Sequence, residues 1–174
     1  MIAIVSGTNR PGAMTYQLAL FYQQQLLTHQ QQSHILDLDA LPPDFTVSAL
    51  YQNNGKNEAF NQFVTHIKSA TKVVFIVPEY NGSFPGVLKA FIDGMPYPNA
   101  LKTKKIALVG LSAGTQGAAL AMSHLTDILN YLGAYVYPLK VRLPHFQEYF
   151  QDGHIQNPSY QQLIEEQQIG FLQF

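Results

Sequence analysis

The sequence contains no cysteine. This absence excludes disulfide bridges, thiolate metal sites and CxxC redox chemistry, so any redox role of the chain requires a bound cofactor. Charge is also scarce, since charged residues form 12% of the chain and the formal net charge is -1. The ten lysines and arginines are scattered, apart from the cluster Lys102, Lys104 and Lys105. This distribution argues against nucleic acid as a partner.

The chain also lacks long apolar runs. Its apolar segments are too short to span a bilayer, and Met1 to Val5 lacks the charged start and longer apolar core of a signal peptide. We therefore expect a cytoplasmic protein without a membrane partner. With 174 residues, 47% of them apolar, the sequence predicts one domain, residues 1–174, with a substantial core.

Short apolar runs alternate with segments in which apolar residues recur at helical spacing. The runs predict five buried strands, at 2–5, 35–38, 73–77, 106–111 and 135–137. The spacing predicts helices at about 15–26, 60–67, 88–95 and 121–132, and a last helix from about 158 toward 171. Residues 39–55, which include Pro42-Pro43, receive no regular structure.

This alternation predicts an α/β fold, a flavodoxin-like, doubly wound sheet of five parallel strands in the order 2-1-3-4-5 with helices on both faces. In that order the loops after the first and third strands flank a crevice, and the loop after the fourth lies beside it. These three loops, 7–15, 78–86 and 112–117, are the glycine-rich loops of the chain. A ligand site is therefore expected at the carboxyl ends of the strands.

The first of these loops has the composition of a phosphate-binding loop. It leads into a helix amino terminus, where free N–H groups and the helix dipole favour an anion. Thr8 and Thr15 offer hydroxyls, Asn9 an amide, and Arg10 a positive charge suited to phosphate. The loop matches neither GxGxxG nor a P-loop. A purely structural turn is the alternative interpretation.

Two motifs resemble those of a known family. Pro78-Glu79-Tyr80-Asn81-Gly82-Ser83, followed by Pro85-Gly86, and Ser6 to Arg10 with Thr15, are similar to the motifs of the NADPH-dependent FMN reductases. These are small flavodoxin-like quinone and azo reductases. The resemblance covers roughly residues 1–137, and the motifs occur in the family's order, each at the end of a predicted strand.

The resemblance implies an enzyme that binds flavin mononucleotide (FMN) and uses NADPH or NADH as cosubstrate. Hydride would pass from the nicotinamide through FMN to a small-molecule acceptor, a quinone, azo compound or flavin, without a catalytic side chain. A homodimer or higher homo-oligomer is expected from the same resemblance. The implied cofactor-binding residues are Gly7, Thr8, Asn9, Arg10, Thr15, Pro78, Glu79, Tyr80, Asn81, Gly82, Ser112, Ala113 and Gly114.

Two other functions share this fold. A flavodoxin-like one-electron carrier is one, although such carriers usually have a strongly acidic surface and a phosphate loop without arginine. A flavin-binding module without turnover is the other. Metal ligation is not expected, because the six histidines show no HxxxH or HxH spacing.

Overall fold

The computed structural model describes all 174 residues and is organised around a parallel β-sheet. Its strands are β1 (Ile2–Ser6), β2 (Ser33–Asp37), β3 (Lys72–Pro78), β4 (Lys105–Leu111) and β5 (Tyr135–Val136). They lie in the order β2-β1-β3-β4-β5, and each neighbouring pair is parallel. The predicted fold class and strand order are confirmed.

Helices connect the strands and cover both faces of the sheet. They are α1 (Met14–Thr28), α2 (Phe45–Ser48), α3 (Glu58–Ser69), α4 (Gly86–Asp93), α5 (Ala119–Tyr131) and α6 (Pro158–Gln173). The stretch 39–55, for which the sequence predicted no element, contains only α2, the 3₁₀ turn Tyr51–Asn53 and the end of another, Leu38–Ala40. No helix has both the length and the hydropathy needed to cross a membrane.

The sheet separates two hydrophobic cores. Phe60 of α3, Phe91 of α4 and Leu125 of α5 pack on one face in a cluster of 29 buried residues. The other face carries a cluster of 18, to which α1 contributes Tyr22 and α6 contributes Phe171. Because the central strands are buried on both faces, they are continuously apolar rather than alternating.

The fifth strand position is occupied by two pieces of chain. After β5 the chain leaves the sheet at Pro138, and a further strand, β6 (Val141–Leu143), pairs with the carboxyl half of β4. The sequence predicted one strand ended by this proline, which cannot donate a ladder hydrogen bond. The chain continues through a 3₁₀ turn, Phe146–Tyr149, and a small antiparallel hairpin of β7 (Phe150–Gln151) and β8 (His154–Ile155).

Polar contacts anchor α6 to the sheet. The buried Gln167 amide donates to the carbonyl oxygens of Leu108 (2.9 Å) and Leu139 (2.8 Å), and it accepts a bond of 3.2 Å from the Tyr22 hydroxyl. Burial raises the pKa of Tyr22 far above its ordinary value, which keeps this hydroxyl protonated as a donor. These bonds satisfy one carbonyl group of β4 and one of the loop after β5, which α6 would otherwise bury without a hydrogen-bond partner.

The two ends of the chain meet at the end of the sheet where the parallel strands begin. Lys72, the first residue of β3, donates through Nζ to the carbonyl oxygens of Phe171 (2.6 Å) and Leu172 (2.7 Å). The backbone amide of the preceding residue, Thr71, donates to the carbonyl oxygen of Met1 at 3.1 Å. Both chain ends therefore lie where the parallel strands begin, at the opposite end of the sheet from the carboxyl ends of the strands.

Candidate functional site

The loop between β1 and α1 is held tightly against β3. The backbone amide of Gly7 donates to the carbonyl oxygen of Ile76 at 2.9 Å. A Cβ atom at Gly7 would lie 2.7 Å from that oxygen, so this close approach requires glycine. The contact fixes the start of the loop beside the end of the neighbouring strand.

Two buried hydroxyls lie at this end of the site, one in the loop and one in the first turn of α1. Thr8 and Thr15 are each 1% exposed. Thr15 Oγ1 accepts a bond of 3.0 Å from the Ser6 hydroxyl, so its own proton is free for a ligand. No side chain caps the start of α1 and no acidic residue lies in its first turn. With the exposed Arg10 at the rim, this end of the site favours an anion.

The loop after β3 contains a tight two-residue turn. Asn81 (φ 49°) and Gly82 (φ 74°) have positive φ angles, and the backbones of Tyr80 and Ser83 exchange hydrogen bonds of 2.8 and 3.0 Å. Positive φ at both central residues is typical of a type I′ turn, for which Asn-Gly is the preferred pair.

The turn places Tyr80 where it joins two loops. Its Oη lies 2.9 Å from Thr8 Oγ1, and Thr8 Oγ1 also accepts a bond of 3.3 Å from the Arg10 backbone amide. If the tyrosine donates, both acceptor positions of the threonine are used and its proton points elsewhere. A side chain of the second motif therefore orients a hydroxyl of the first.

Glu79, next to Tyr80, carries a buried oxygen without a partner. Its carboxyl Oε2 is inaccessible to solvent, and no hydrogen bond reaches it. The side chain lines the same cleft as Thr8 and Arg10. An orphaned buried acceptor is costly, so this part of the cleft is suited to a ligand that brings a donor.

Ser112 forms hydrogen bonds to other residues of the loop after β4. Its hydroxyl donates to the carbonyl oxygen of Gly114 at 2.8 Å and accepts from the Gly117 amide at 3.0 Å. Gly117 has φ +56°, and a Cβ there would lie 2.8 Å from the Leu143 nitrogen. The Ser112 side chain therefore shapes the loop, while Ala113 leaves the backbone open to the cleft.

Together the three loops enclose a cleft of about 290 Å³ at the carboxyl ends of the strands. Eight predicted residues line it: Thr8, Arg10, Thr15, Pro78, Glu79, Tyr80, Ser112 and Ala113. The other five, Gly7, Asn9, Asn81, Gly82 and Gly114, belong to the same loops but do not line the cleft. Gly7, Asn81 and Gly82 shape the backbone, Gly114 accepts two hydrogen bonds, and Asn9 is exposed.

The sequence did not predict the wall formed by Phe146 and Gln147. The backbone amide of Phe146 donates to the Ser112 carbonyl oxygen, and that of His145 to the Gly114 carbonyl oxygen, each at 3.1 Å. These bonds bring a segment about thirty residues further along the chain to the edge of the cleft. No local motif signals this long-range contact. Pro11 to Met14 and Leu111, which also line the cleft, are continuous with the predicted loops.

His124 approaches the same end of the sheet from α5. Its Nδ1 lies 3.0 Å from the Ser83 hydroxyl, and both side chains are at the surface. No group of three or more His, Cys, Asp or Glu side chains is arranged to hold a metal ion.

The fold and the cleft define a class of protein, the flavodoxin-like α/β proteins that hold a phosphorylated ligand where the chain reverses direction. The model of the family described as NADPH-dependent FMN reductase matches residues 1–148. The chain belongs to the NADPH-dependent FMN reductase family. The predictions of an oxidoreductase family, of FMN as its cofactor and of NADPH or NADH as its cosubstrate are thereby confirmed for the family.

Individual relatives agree with this assignment. A 2-hydroxy-1,4-benzoquinone reductase of Burkholderia sp is 37% identical over 78 residues, 43% of each chain. An NAD(P)H-dependent FMN reductase of Pseudomonas aeruginosa is 40% identical over 83 residues, 47% of this chain and 44% of the relative. The matched segments thus span less than half of the length of these curated relatives. Among solved structures, the flavoenzyme FerB, an NAD(P)H:(acceptor) oxidoreductase of Paracoccus denitrificans, superposes with a TM-score of 0.78 and 27% identity, covering 99% of this chain and 94% of FerB.

The cleft residues fit FMN. The phosphate matches the uncapped start of α1 with Thr8, Thr15 and Arg10. A flavin carries hydroxyls and a ring N–H, which are donors of the kind that the unpartnered Glu79 oxygen lacks. Pro78 to Tyr80 of the second loop and Ser112 and Ala113 of the third line the rest of the cleft, where a flat ring can lie between the two loops.

Proposed function

We propose that this chain is an FMN-dependent NAD(P)H oxidoreductase that reduces a small-molecule acceptor of the quinone class. The observation that carries the proposal is the cleft itself, in which an anion-binding loop and the second family motif are joined by the contact of Thr8 with Tyr80. The relatives named as quinone and FMN reductases support the acceptor class. Azo compounds and free flavins are the other acceptors to test.

In this proposal each loop has a separate task. Thr8, Arg10 and Thr15, with the amino terminus of α1, hold the phosphate and set the position of the cofactor along the cleft. Pro78 to Tyr80 and Ser112 to Ala113 flank the ring on two sides, while the Asn81-Gly82 turn and Gly114 shape these loops. Bound FMN would supply the redox chemistry, because it can take up two electrons from a nicotinamide and release them to an acceptor.

Three apolar side chains at the cleft have a further task. Phe146 and Leu111 are buried side chains at the floor of the cleft, and Met14 lies partly buried beside them. Such a wall keeps water from one side of the ligand. We assign no catalytic side chain. The cytoplasmic location, the single domain and the homodimer or higher homo-oligomer stay predictions from the sequence.

An anaerobic absorbance experiment tests the proposal. The chain, saturated with FMN and freed of excess, is mixed with NADH or NADPH, and then with 1,4-benzoquinone. We expect one of the nicotinamides to bleach the flavin band within seconds and the quinone to restore it, at one FMN per chain. Free FMN at the same concentration is the control. Failure to retain FMN, or absence of bleaching by both nicotinamides, would contradict the proposal.

A further inference from the structure

Lys140 and Arg142 form a pair of cations at the edge of the sheet. Arg142 lies in β6, and Lys140 lies just before this strand. Because successive side chains of a strand point to opposite faces, the two cations share one face, while Val141 and Leu143 are buried in the core that contains α1 and α6. Neither cation forms an ion pair with an acidic side chain. Two unpaired cations on one face of a strand are suited to bind a phosphate group.

The two cations line a pocket between α5 and the segment that enters β6, which we call the basic pocket. Its volume is about 360 Å³, and its other lining residues are uncharged: Ala119, Met122, Ser123, Pro138 and Leu139. Apolar side chains therefore lie beside a hydroxyl group and two positive charges. This composition suits a nucleoside phosphate, because the flat base can pack on apolar groups while the phosphate meets the cations.

The basic pocket lies next to the third loop of the cleft. A Cβ atom at Gly117, at the end of that loop, would lie 3.0 Å from Arg142 Cβ. The chain then continues from β6 to the cleft wall, where the Phe146 amide donates to the Ser112 carbonyl oxygen at 3.1 Å. The loop 112–117 therefore separates the basic pocket from the cleft, and its residues 113–116 are exposed. A dinucleotide with one ring in the cleft can cross this loop and place its other nucleotide in the basic pocket.

The acidic side chains of the neighbouring elements leave the basic pocket free of negative charge. Asp127 of α5 lines the groove between α4 and α5 instead. Glu148 lies 3.5 Å from the ring nitrogen of His145. An anion that enters the basic pocket therefore meets two cations and no carboxylate, and the Coulomb interaction is attractive.

We propose that Lys140 and Arg142 bind the 2′-phosphate of NADPH and make the chain selective for NADPH over NADH. The inference rests on the proposed function, since it takes a reduced nicotinamide dinucleotide as the electron donor. In dinucleotide-binding proteins an arginine accommodates the 2′-phosphate, whereas a carboxylate accepts a hydrogen bond from the free ribose 2′-hydroxyl of NADH. The basic pocket contains the arginine and lacks the carboxylate. Lys140 and Arg142 are specificity-determining residues, and they take no part in holding FMN because they lie outside the cleft.

Steady-state kinetics of the FMN-loaded protein with 1,4-benzoquinone as acceptor tests the inference. The variants are Lys140→Ala, Arg142→Ala and the two combined, and Lys56→Ala combined with Lys68→Ala removes two exposed lysines elsewhere as a control for net charge. We expect each single variant to raise the KM for NADPH about tenfold, because a charge-assisted contact is lost, and to leave kcat and the KM for NADH unchanged. The control should match the unaltered chain with both nucleotides. Equal losses with NADPH and NADH, or no loss with either, would overturn the inference.

Nucleotide binding supplies a readout that does not depend on turnover. Isothermal titration calorimetry compares adenosine 2′,5′-bisphosphate with adenosine 5′-phosphate, which differ only in the 2′-phosphate. We expect the unaltered, FMN-loaded chain to bind the bisphosphate about tenfold or more tightly, and the combined Lys140→Ala and Arg142→Ala variant to bind both equally. Equal affinity of the unaltered chain for the two nucleotides would overturn the inference.

The two proposals fail in different ways. If the unaltered chain binds no FMN, the proposed function fails. The same calorimetric titration of the FMN-free chain still decides whether the basic pocket holds a 2′-phosphate. If the chain binds FMN and is bleached by NADH and NADPH with the same KM, the proposed function stands and the assignment of Lys140 and Arg142 is wrong.

Discussion

At the scale of single residues, Arg10 allows the most direct test of the phosphate loop. Arg10→Ala removes a charge-assisted contact, and a loss of about 1.5 to 3 kcal/mol corresponds to roughly tenfold weaker FMN binding or more. Folding is expected to be unaffected, because the side chain is exposed. Fluorescence titration of FMN gives the affinity, and thermal unfolding followed by circular dichroism gives the stability.

The chain offers a matched control for this variant. Arg142, its only other arginine, is exposed and lies outside the cleft. Arg142→Ala is therefore expected to leave FMN affinity unchanged. Equal affinities for Arg10→Ala and Arg142→Ala would show that the first loop does not hold the phosphate.

Sequence patterns predicted individual residues well where the chemistry is local. Thr8, Thr15 and Arg10 could be placed together because they lie within eight positions of one another, between the end of β1 and the first turn of α1, and the structure brings all three to the cleft. The contact between Tyr80 and Thr8 joins residues 72 positions apart, so no spacing pattern contains it. The unpartnered oxygen of Glu79 likewise could not be predicted from the sequence, since the burial of one atom depends on the packing of several segments.

At the scale of elements, the packing of α3 against β2 brings two histidines into contact. The rings of His34 and His66 stack with their centroids 4.0 Å apart. Burial, and secondarily the charge of His66, lower the pKa of His34. Between this lowered pKa and about 6.5 the unfolded chain binds more protons than the folded chain. The free energy of unfolding therefore falls as the pH decreases through that window.

The pH effect can be measured by urea unfolding at pH 7.5 and pH 5.5. Because His34→Gln removes the group with the lowered pKa, this variant should lose less stability between the two pH values than the unaltered chain does. His154→Gln, which alters an exposed histidine in β8, serves as control and should behave like the unaltered chain. An identical pH dependence for His34→Gln and His154→Gln would exclude this source of acid sensitivity.

Element types were predictable because the period of the apolar residues differs between strands and helices. The Asn81-Gly82 turn was also signalled, since this pair favours positive φ at both positions. The division of the fifth strand position into β5 and β6 was not. Pro138 indicated where pairing stops, but the return of Val141–Leu143 to β4 depends on contacts with the loop at Gly117 and with α6.

At the scale of the whole molecule, the second core depends on a helix that lies beyond the matched residues 1–148. Ile164 and Phe171 of α6 are buried against the sheet, and Gln167 satisfies one carbonyl group of β4 and one of the loop between β5 and β6. Burial of each apolar side chain contributes about 1.5 to 3 kcal/mol, so these two contribute about 3 to 6 kcal/mol, a large part of the stability of about 5 to 15 kcal/mol typical of a domain.

Truncation after residue 157 tests this dependence. The chain 1–157 is expected to show no cooperative transition in thermal or urea unfolding, because one face of the sheet would be exposed to water. A chain lacking only Phe174 is the control and should unfold cooperatively. Cooperative unfolding of 1–157 at the unaltered midpoint would mean that α6 contributes little to the second core.

The two chain ends meet where the parallel strands begin, and this has a practical consequence. Met1 and Leu172 contact the adjacent residues Thr71 and Lys72, while the cleft lies at the far ends of the same strands. A short linker can therefore join the ends, and new ends can be opened at the exposed residues Gly55 and Lys56, giving a circular permutant with an intact cleft. Polypeptide fused to either original end would likewise extend away from the three loops that enclose the cleft, so fusion partners or surface attachment leave access to the cleft free.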